Sequence, residues 1–324
     1  MQYISIPYVS KPASRIFYGT AMPPYLEGGD GNAILDAMYA EGINAFDCAR
    51  NYKLAEKSLG KWIDERGLRD KIVLLTKCAH HDDAGNKRVN EKAIREDYAV
   101  SSEYLRTPYF DIYLLHRDDP SQPVGPIVEA LNALHAEGKI GAFGGSNWTW
   151  QRVSEANEYA YAHNLVPFSV SSPNFGLADQ VRDPWGGGCV SISGPANKEA
   201  RSFYAANQMP VIAYSSLGRG LFSGKLKSCD AAHADAVLDP VSMKGYACPE
   251  NFERLRRCEI LAEQKHATVP QIAMAWIYSQ PINTFAVVST SSAERMRANI
   301  AALDISLTAQ EAAFLDLESD ECLP

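Results

Sequence analysis

Short apolar runs alternate with longer amphipathic stretches along nearly the whole chain. NAF, IVLL and IYLL are brief, apolar and partly β-branched, as strands buried on both faces should be. The pattern predicts strands near 15–19, 45–47, 72–76, 112–115, 142–146, 168–171, 211–214 and 285–288. Between them, helical spacing of apolar residues marks 31–41, 54–66, 91–104, 127–137, 149–163, 198–207, 251–265 and 293–302. Strand–helix alternation calls for a parallel sheet, and eight such units can close it into a barrel. The expected fold is therefore α/β, one (β/α)8 barrel domain over residues 1–324. Two helices exceed that plan: 269–279, led by Val269 and Pro270, and 308–317, where Thr308 and Glu311 have capping-box spacing. Two connections are long, 173–197 around PWGGGCVSISGP and 218–250 after the seventh strand. Loops of that length in a compact domain usually carry function.

Composition narrows the classes. A net charge of −8 opposes binding to nucleic acid or to an anionic membrane surface, both of which need basic faces. The start, MQYISIPYVSKPASR, has no basic segment followed by a long apolar run, so no signal peptide is expected. No apolar stretch approaches the ~20 residues that span a bilayer. Seven cysteines without a C-x-x-C pair read as reduced thiols, which points to the cytoplasm; Cys48 and Cys78 read as small packing residues. Oligomeric state is left open.

Four reactive side chains fall where predicted strands meet loops: Asp47 in AFDCARNY, Tyr52 five residues on, Lys77 closing IVLLTK and His116 closing IYLLH. The carboxyl rim of a strand–helix barrel is where its chemistry occurs. Singly, each has an ordinary reading, as a strand-end carboxylate, a loop aromatic, a paired lysine or a core histidine. Together they form a proton-transfer set. A phenol titrates near ~10, and an adjacent ammonium is expected to lower that value while a carboxylate holds the ammonium. An imidazole can direct an oxygen toward the phenol. Such a set protonates an oxygen as negative charge develops on it, which hydride reduction of an aldehyde or ketone requires. His80, His81, Asp82 and Asp83 are contiguous with no second ligand cluster nearby and read as a solvated polar loop rather than a metal site.

The chain resembles the aldo-keto reductase family nearly end to end. FDCARNYKLAEKSLGKWI is similar to that family's Asp-x-Ala-x-x-Tyr segment, with Glu56 and Gly60 at their usual offsets. LLTKC, DIYLLHRDDP, GKIGAFGGSNW, VIAYSSLGRGLFSGK and two closing blocks follow in the family's order. The resemblance implies NAD(P)H-dependent reduction of a small-molecule carbonyl with Asp47, Tyr52, Lys77 and His116 as catalytic tetrad and no metal. It implies cofactor contacts from Gly19, Thr20, Ser146, Asn147, Ser171, Tyr214, Ser215, Leu217, Gly218 and Gly220. It adds Ser289, Thr290, Ser291, Arg295 and Asn299 around the adenosine phosphates. No G-x-G-x-x-G turn is present, so a hydroxyl-rich helix N-terminus with a guanidinium is the phosphate site a barrel would offer. Three positions depart from the common pattern: Ser171 replaces Gln, Ser289 replaces Lys and Ala298 replaces Glu. Arg295 keeps the balance toward NADP(H), with NAD(H) open. Arg117 is expected to overlook the substrate, or else to pair with Asp118 or Asp119; Trp148, with Trp150 and Trp185, is expected among the pocket walls. Two rival classes remain: a cofactor-binding regulatory module of the same fold, and a barrel hydrolase or isomerase using Asp47 as base.

Overall fold

The computed structural model describes residues 1–321, so Cys322 lies outside the described residues. A short antiparallel pair, β1 (Tyr3–Ile4) and β2 (Ala13–Ser14), precedes the barrel. It sits where the barrel strands begin, since Lys11 pairs with Asp111 at 2.8 Å and Ile6 joins the interior core. Sequence patterning misses this pair because two residues per strand are too few to show a period.

The barrel strands follow as β3 (Ile16–Gly19), β4 (Ala45–Asp47), β5 (Val73–Cys78), β6 (Phe110–Leu115), β7 (Ile140–Ser146), β8 (Val170–Ser172), β9 (Val211–Ala213) and β10 (Thr284–Val288). They form one closed parallel barrel in the order β10-β3-β4-β5-β6-β7-β8-β9. The intervening helices are α1 (Asn32–Ala40), α2 (Ala55–Arg66), α3 (Glu91–Leu105), α4 (Val124–Ala136), α5 (Trp150–Ala162) and α6 (Lys198–Asn207). After β9 come α7 (Pro240–Tyr246), α8 (Pro249–Gln264) and α9 (Val269–Ser279), and after β10 come α10 (Ala293–Ala301) and α11 (Ala309–Leu315). The predicted barrel is therefore the observed one.

Two cores divide the apolar residues. Phe17, Ala45, Val73, Leu75, Ile112, Leu114, Ala142, Val170, Ile212 and Phe285 fill the barrel lumen. Their strand neighbours, such as Tyr18, Phe46, Leu74, Tyr113 and Phe143, pack outward against the helices. Strand side chains alternate faces, so a residue two beyond a lumen residue also points along the lumen.

Boundary differences have local causes. Helix α4 starts at Val124 rather than near 127, because Pro126 in the first turn costs no helical hydrogen bond there. Helix α8 starts at Pro249, again with proline in the first turn. Segment 218–250, read as a loop, contains α7; Asp239 caps it by accepting from the Ser242 N–H, and Pro240 opens it. The Asp-Pro pair was the missed signal. Helix α9 begins with the Thr268/Gln271 capping box and α11 with that of Thr308 and Glu311.

Gly60 on α2 has a packing reason to be glycine. A Cβ there would lie 2.2 Å from the Tyr104 carbonyl oxygen and 2.6 Å from Leu105 Cα, so α2 and α3 meet backbone to backbone. Gly60→Ala should destabilise the protein by about 1–3 kcal/mol through overpacking, against the ~1 kcal/mol that alanine gains in helix propensity. Urea unfolding followed by far-ultraviolet circular dichroism measures it, and a variant more stable than wild type would refute the close approach.

Candidate active site

The lumen alternation places the reactive groups. Lys77 continues Val73 and Leu75, Asp47 continues Ala45, and His116 follows Ile112 and Leu114. All three therefore emerge together at the carboxyl mouth, and Asp47, Lys77 and His116 are buried. The segment after Asp47 runs on beside β5: the Cys48 N–H donates to the Leu75 carbonyl and the Arg50 N–H to that of Lys77, both at 2.9 Å. The chain then turns, with Tyr52 N–H donating to Ala49 O and Ala55 N–H to Tyr52 O. Glu56, wholly buried, clamps the turn, accepting from Thr76 Oγ1 at 2.6 Å and Arg50 Nη1 at 3.2 Å. This folds the Tyr52 phenol back over Lys77.

Lys77 Nζ bonds the Asp47 carboxylate, donates to the Cys48 carbonyl at 3.0 Å and reaches the Tyr52 hydroxyl at 3.4 Å. Burial works against its charge, but Asp47 and the phenol outweigh it and hold the ammonium up to about 12. Burial pushes the Asp47 carboxyl up, and the ammonium pulls it back. The Tyr52 phenol corrects the sequence expectation. Burial raises its pKa above the usual value despite Lys77, and Asp47 adds to the rise. The ammonium is already committed to Asp47 and only moderates that desolvation.

The His116 ring meets Tyr52 edge-on at 5.5 Å. Burial first, then the charges of Lys77 and Arg117, lower its pKa well below the usual imidazole value, so it is neutral. Its Nδ1 is buried with no partner among the described residues. His80, expected in a solvated loop, is instead half-buried, its ring edge-on to His116 at 4.8 Å and tilted against His81 at 3.9 Å. Burial lowers His80 to about 4. Its Nδ1 lies 3.0 Å from the His81 carbonyl, which can only accept, so the proton sits on Nδ1 and Nε2 is left as an acceptor. Among the described residues no group of three or more His, Cys, Asp or Glu has metal-binding geometry.

On β7, Ser146 Oγ donates to the Ser172 carbonyl at 2.9 Å. The Asn147 amide is saturated: Nδ2 donates to His116 O and Ser146 Oγ, and Oδ1 accepts from the Tyr214 hydroxyl at 2.7 Å and the Val190 N–H at 3.1 Å. Asn147 thus braces the rim, tying β6, β7, the end of β9 and loop 173–197. Ser171 requires a correction. It pairs with Gly145, not Ser146, faces outward and shares a 2.7 Å hydrogen bond with Tyr204 of α6. A one-residue shift inverts the face, and the lumen position is Ser172, whose Oγ donates to Ile212 O. Counting in twos from Val170 would have found it. Trp148 also moves: it is fully buried, fills the space beside Gly145 and donates from Nε1 to the Arg117 carbonyl at 3.1 Å. It supports Arg117 and lines no pocket. Trp185, exposed, sits edge-on to Tyr214 at 5.9 Å.

The opposite rim has the character expected for phosphates. After β9, Ser215, Gly218, Arg219 and Gly220 have positive φ of 55°, 57°, 50° and 105°. The run is folded on itself, with the Gly218 N–H donating to Ser215 O at 2.8 Å and the Gly220 N–H to Leu217 O at 3.2 Å, and Leu217 lies within it. At the end of β10, Ser289 Oγ donates to Gly19 O at 2.8 Å; a Cβ on Gly19 would lie 2.7 Å from that Oγ, so the approach needs glycine. Thr20 is less available, since its N–H and its hydroxyl both donate to the Asp47 carbonyl. Ser292 caps α10, Ser291 is exposed beside it, and Arg295 donates from Nε to Thr290 Oγ1 at 3.2 Å. Arg295 is exposed and has no acidic partner among the described residues, unlike Arg297, which pairs with Glu41 at 2.6 Å. Asn299 lies one turn after Arg295, on the same helix face and buried. These groups suit the pyrophosphate and adenosine phosphate of a nicotinamide dinucleotide.

Comparison with known proteins agrees with this geometry. The Aldo/keto reductase family matches residues 15–317. The aldo-keto reductase str7 of Strobilurus tenacellus is 26% identical over 291 residues, covering 89% of this chain and 80% of the relative. The aldo-keto reductase YhdN of Bacillus subtilis is 28% identical, with 87% and 82% covered. A putative voltage-gated potassium channel subunit beta of Schizosaccharomyces pombe is 27% identical, with 81% and 76% covered. With a closed (β/α)8 barrel and a match over nearly its whole length, the chain belongs to the aldo/keto reductase family and is an NAD(P)H-dependent oxidoreductase.

Proposed function

We propose that this enzyme reduces a small polar aldehyde or ketone, of the sugar or keto-sugar kind, to the alcohol, with NADPH preferred over NADH and Tyr52 as the proton donor. The observation that carries the reading is the convergence of Lys77, Asp47, Tyr52 and a neutral His116 at one barrel mouth. When bound, the reduced dinucleotide supplies the hydride that adds to the carbonyl carbon. Tyr52 gives its proton to the carbonyl oxygen as negative charge builds there, and the phenolate left behind is stabilised by Lys77. Asp47 keeps Lys77 charged and in place. His116, neutral and fixed by burial, donates toward the substrate oxygen and aligns it with the phenol. Water leaves the mouth under loop 173–197, which strengthens each of these interactions. Free cysteines among the described residues suit a reducing compartment such as the cytoplasm.

The preference for NADPH rests on Arg295, exposed and free of an acid at the N-terminus of α10. The absence of a lysine at Ser289 and of a glutamate at Ala298 leaves Arg295 the main cation there. The relative named as a channel subunit supports a second reading, in which the barrel binds cofactor and serves a partner with little turnover. No helix among the described residues is long and apolar enough to cross a membrane. Steady aldehyde-dependent oxidation of NADPH decides between the two readings.

Tyr52→Phe keeps the ring and removes the acid. Single-turnover hydride transfer, followed by nicotinamide absorbance under saturating substrate, should fall by at least ~10²-fold with NADPH affinity intact. Transfer at the wild-type rate would assign the proton to another group.

The raised phenol pKa sets the pH dependence. Reduction needs the protonated phenol, which persists until pH reaches its pKa, so the alkaline decline should lie above pH ~10 rather than near neutrality. Lys77→Met removes the charge that moderates this pKa and should slow reduction comparably to the loss of the phenol. A wild-type rate already falling through pH 8 would contradict the assignment.

Arg295→Ala should weaken NADPH selectively, by about 1.5–3 kcal/mol for a lost charge-assisted bond. Fluorescence titration with both cofactors measures it, and equal losses for NADPH and NADH would show that Arg295 does not read the 2′-phosphate.

A further inference from the structure

Arg117 is a guanidinium placed at the reactive mouth with no acid paired to it among the described residues. It directly follows His116, its side chain is half-buried, and its Nε is buried with no hydrogen-bond partner among the described residues. The two acids that sequence offered it are engaged elsewhere. Asp118 accepts from Arg152 Nε at 3.1 Å, and Asp119 pairs with Lys87 at 3.0 Å. Asp183 of loop 173–197 accepts from the Trp185 and Cys189 N–H groups at 2.7 and 2.8 Å. Arg88, Arg69 and Arg50, also half-buried, are compensated by Asp97, Asp111 and Glu56, whereas Arg15, at the opposite end of the barrel against the Tyr278 and Phe285 rings, shares with Arg117 the lack of an acid among the described residues.

The groups that feel the charge of Arg117 are His80, His116, Cys189 and Tyr214. Burial keeps the two imidazoles neutral, and it raises the Cys189 thiol to about 11 and the Tyr214 phenol well above its usual value. A half-desolvated cation without an acid bonded to it among the described residues gains from an arriving anion. The fold also keeps the space open. Trp148 pins the Arg117 carbonyl from below. Above it run Gly186, Gly187 and Gly188, all with positive φ, and a Cβ on Gly188 would touch Arg117 Cδ at 3.6 Å. In the barrel order β6 stands across from β10, so Arg117 is far round the rim from the Arg295 phosphate site.

We infer that the substrate carries an oxyanion, a carboxylate or a phosphate, which Arg117 binds while the carbonyl lies between Tyr52 and His116. This rests on the reading of the site as a carbonyl reductase and names the substrate class within it. The planar guanidinium fork is matched to a two-oxygen anion. His80, with its free Nε2 lone pair beside His116, accepts from a hydroxyl of the same molecule. An aldehyde or ketone bearing both a hydroxyl and an acid group satisfies the set.

Matched substrate pairs test this. With NADPH saturating, kcat/KM is measured for 4-carboxybenzaldehyde against methyl 4-formylbenzoate, and for glyceraldehyde 3-phosphate against glyceraldehyde. The anionic member of at least one pair should be favoured by roughly tenfold or more, the scale of a charge-assisted bond, and the favoured pair identifies carboxylate or phosphate. Arg117→Met should bring that ratio toward one, and Arg117→Lys should restore part of it. Calorimetric titration of benzoate, benzamide and inorganic phosphate into the NADPH complex reads the site without turnover. At least one anion should bind wild type and be lost in Arg117→Met, with Arg117→Gln as the second variant should the methionine protein misfold. Ratios of one or less in wild type, or ratios and anion affinities unchanged in the variants, overturn the inference. If no carbonyl is reduced at all, the proposed function falls, while anion binding that depends on Arg117 would still stand.

Discussion

Everything at the mouth of this barrel depends on the two-residue alternation of its strands. Val73 and Leu75 fill the lumen, so the next residue of that face, Lys77, must emerge at the top. The same count carries Ala45 to Asp47, Leu114 to His116, Ile212 to Tyr214 and Phe285 through Val287 to Ser289. Parallel register then brings neighbours together, with Asp47 beside Leu75 and Gly19 beside Asp47. Packing inside the barrel therefore decides which polar side chains meet above it. A lumen residue cannot change register without moving a functional group to the outer face.

That placement forces an ammonium into a nearly water-free position, and the electrostatics follow from it. Lysine is rarely buried without a partner, and Asp47 supplies one. Because the pair is nearly self-compensating, it leaves little field to ionise the phenol, and burial keeps Tyr52 protonated. The same burial and the same cation keep His116 neutral. Both groups thus rest neutral, each with a hydrogen to donate in a hydrogen bond. A second cation, Arg117, sits in the same neighbourhood without an acid, and its field helps keep His80 and His116 neutral.

Much of this was legible in the sequence, for a physical reason. The eight strands and their helices announce themselves because a doubly buried strand and an amphipathic helix have different apolar periods. Asp47, Tyr52, Lys77 and His116 were legible because each ends or follows such a run. What was not legible depends on face or on tertiary partners. Ser171 and Ser172 are chemically alike and differ only in which side of β8 they occupy. Trp148 could have been a wall or a prop, and only Gly145, which leaves it room, decides for the prop. His80 belongs to a polar run that reads as solvated, and no local pattern reveals the His116 ring against it. The direction of the Tyr52 shift required the depth of burial, which sequence does not supply.

The rim divides by chemistry as well as by position. From β9 through β10 to β3 it offers hydroxyls, left-handed backbone and an exposed arginine, the makings of a phosphate cradle. From β5 to β6 it offers imidazoles and a sheltered arginine. Loops 173–197 and 218–250 join the two halves: the Val181 N–H donates to Gly245 O at 3.0 Å, and Asn251 in the first turn of α8 bonds the backbone of Asp179 in both directions. Arg219 lies at the seam, stacked 5.2 Å over Trp185 and paired with Asp239 at 3.2 Å. Trp185 in turn meets Tyr214, and Gly188, three residues on, lies against Arg117 Cδ. One connected surface therefore runs from the backbone turn after β9 to Arg117 above β6.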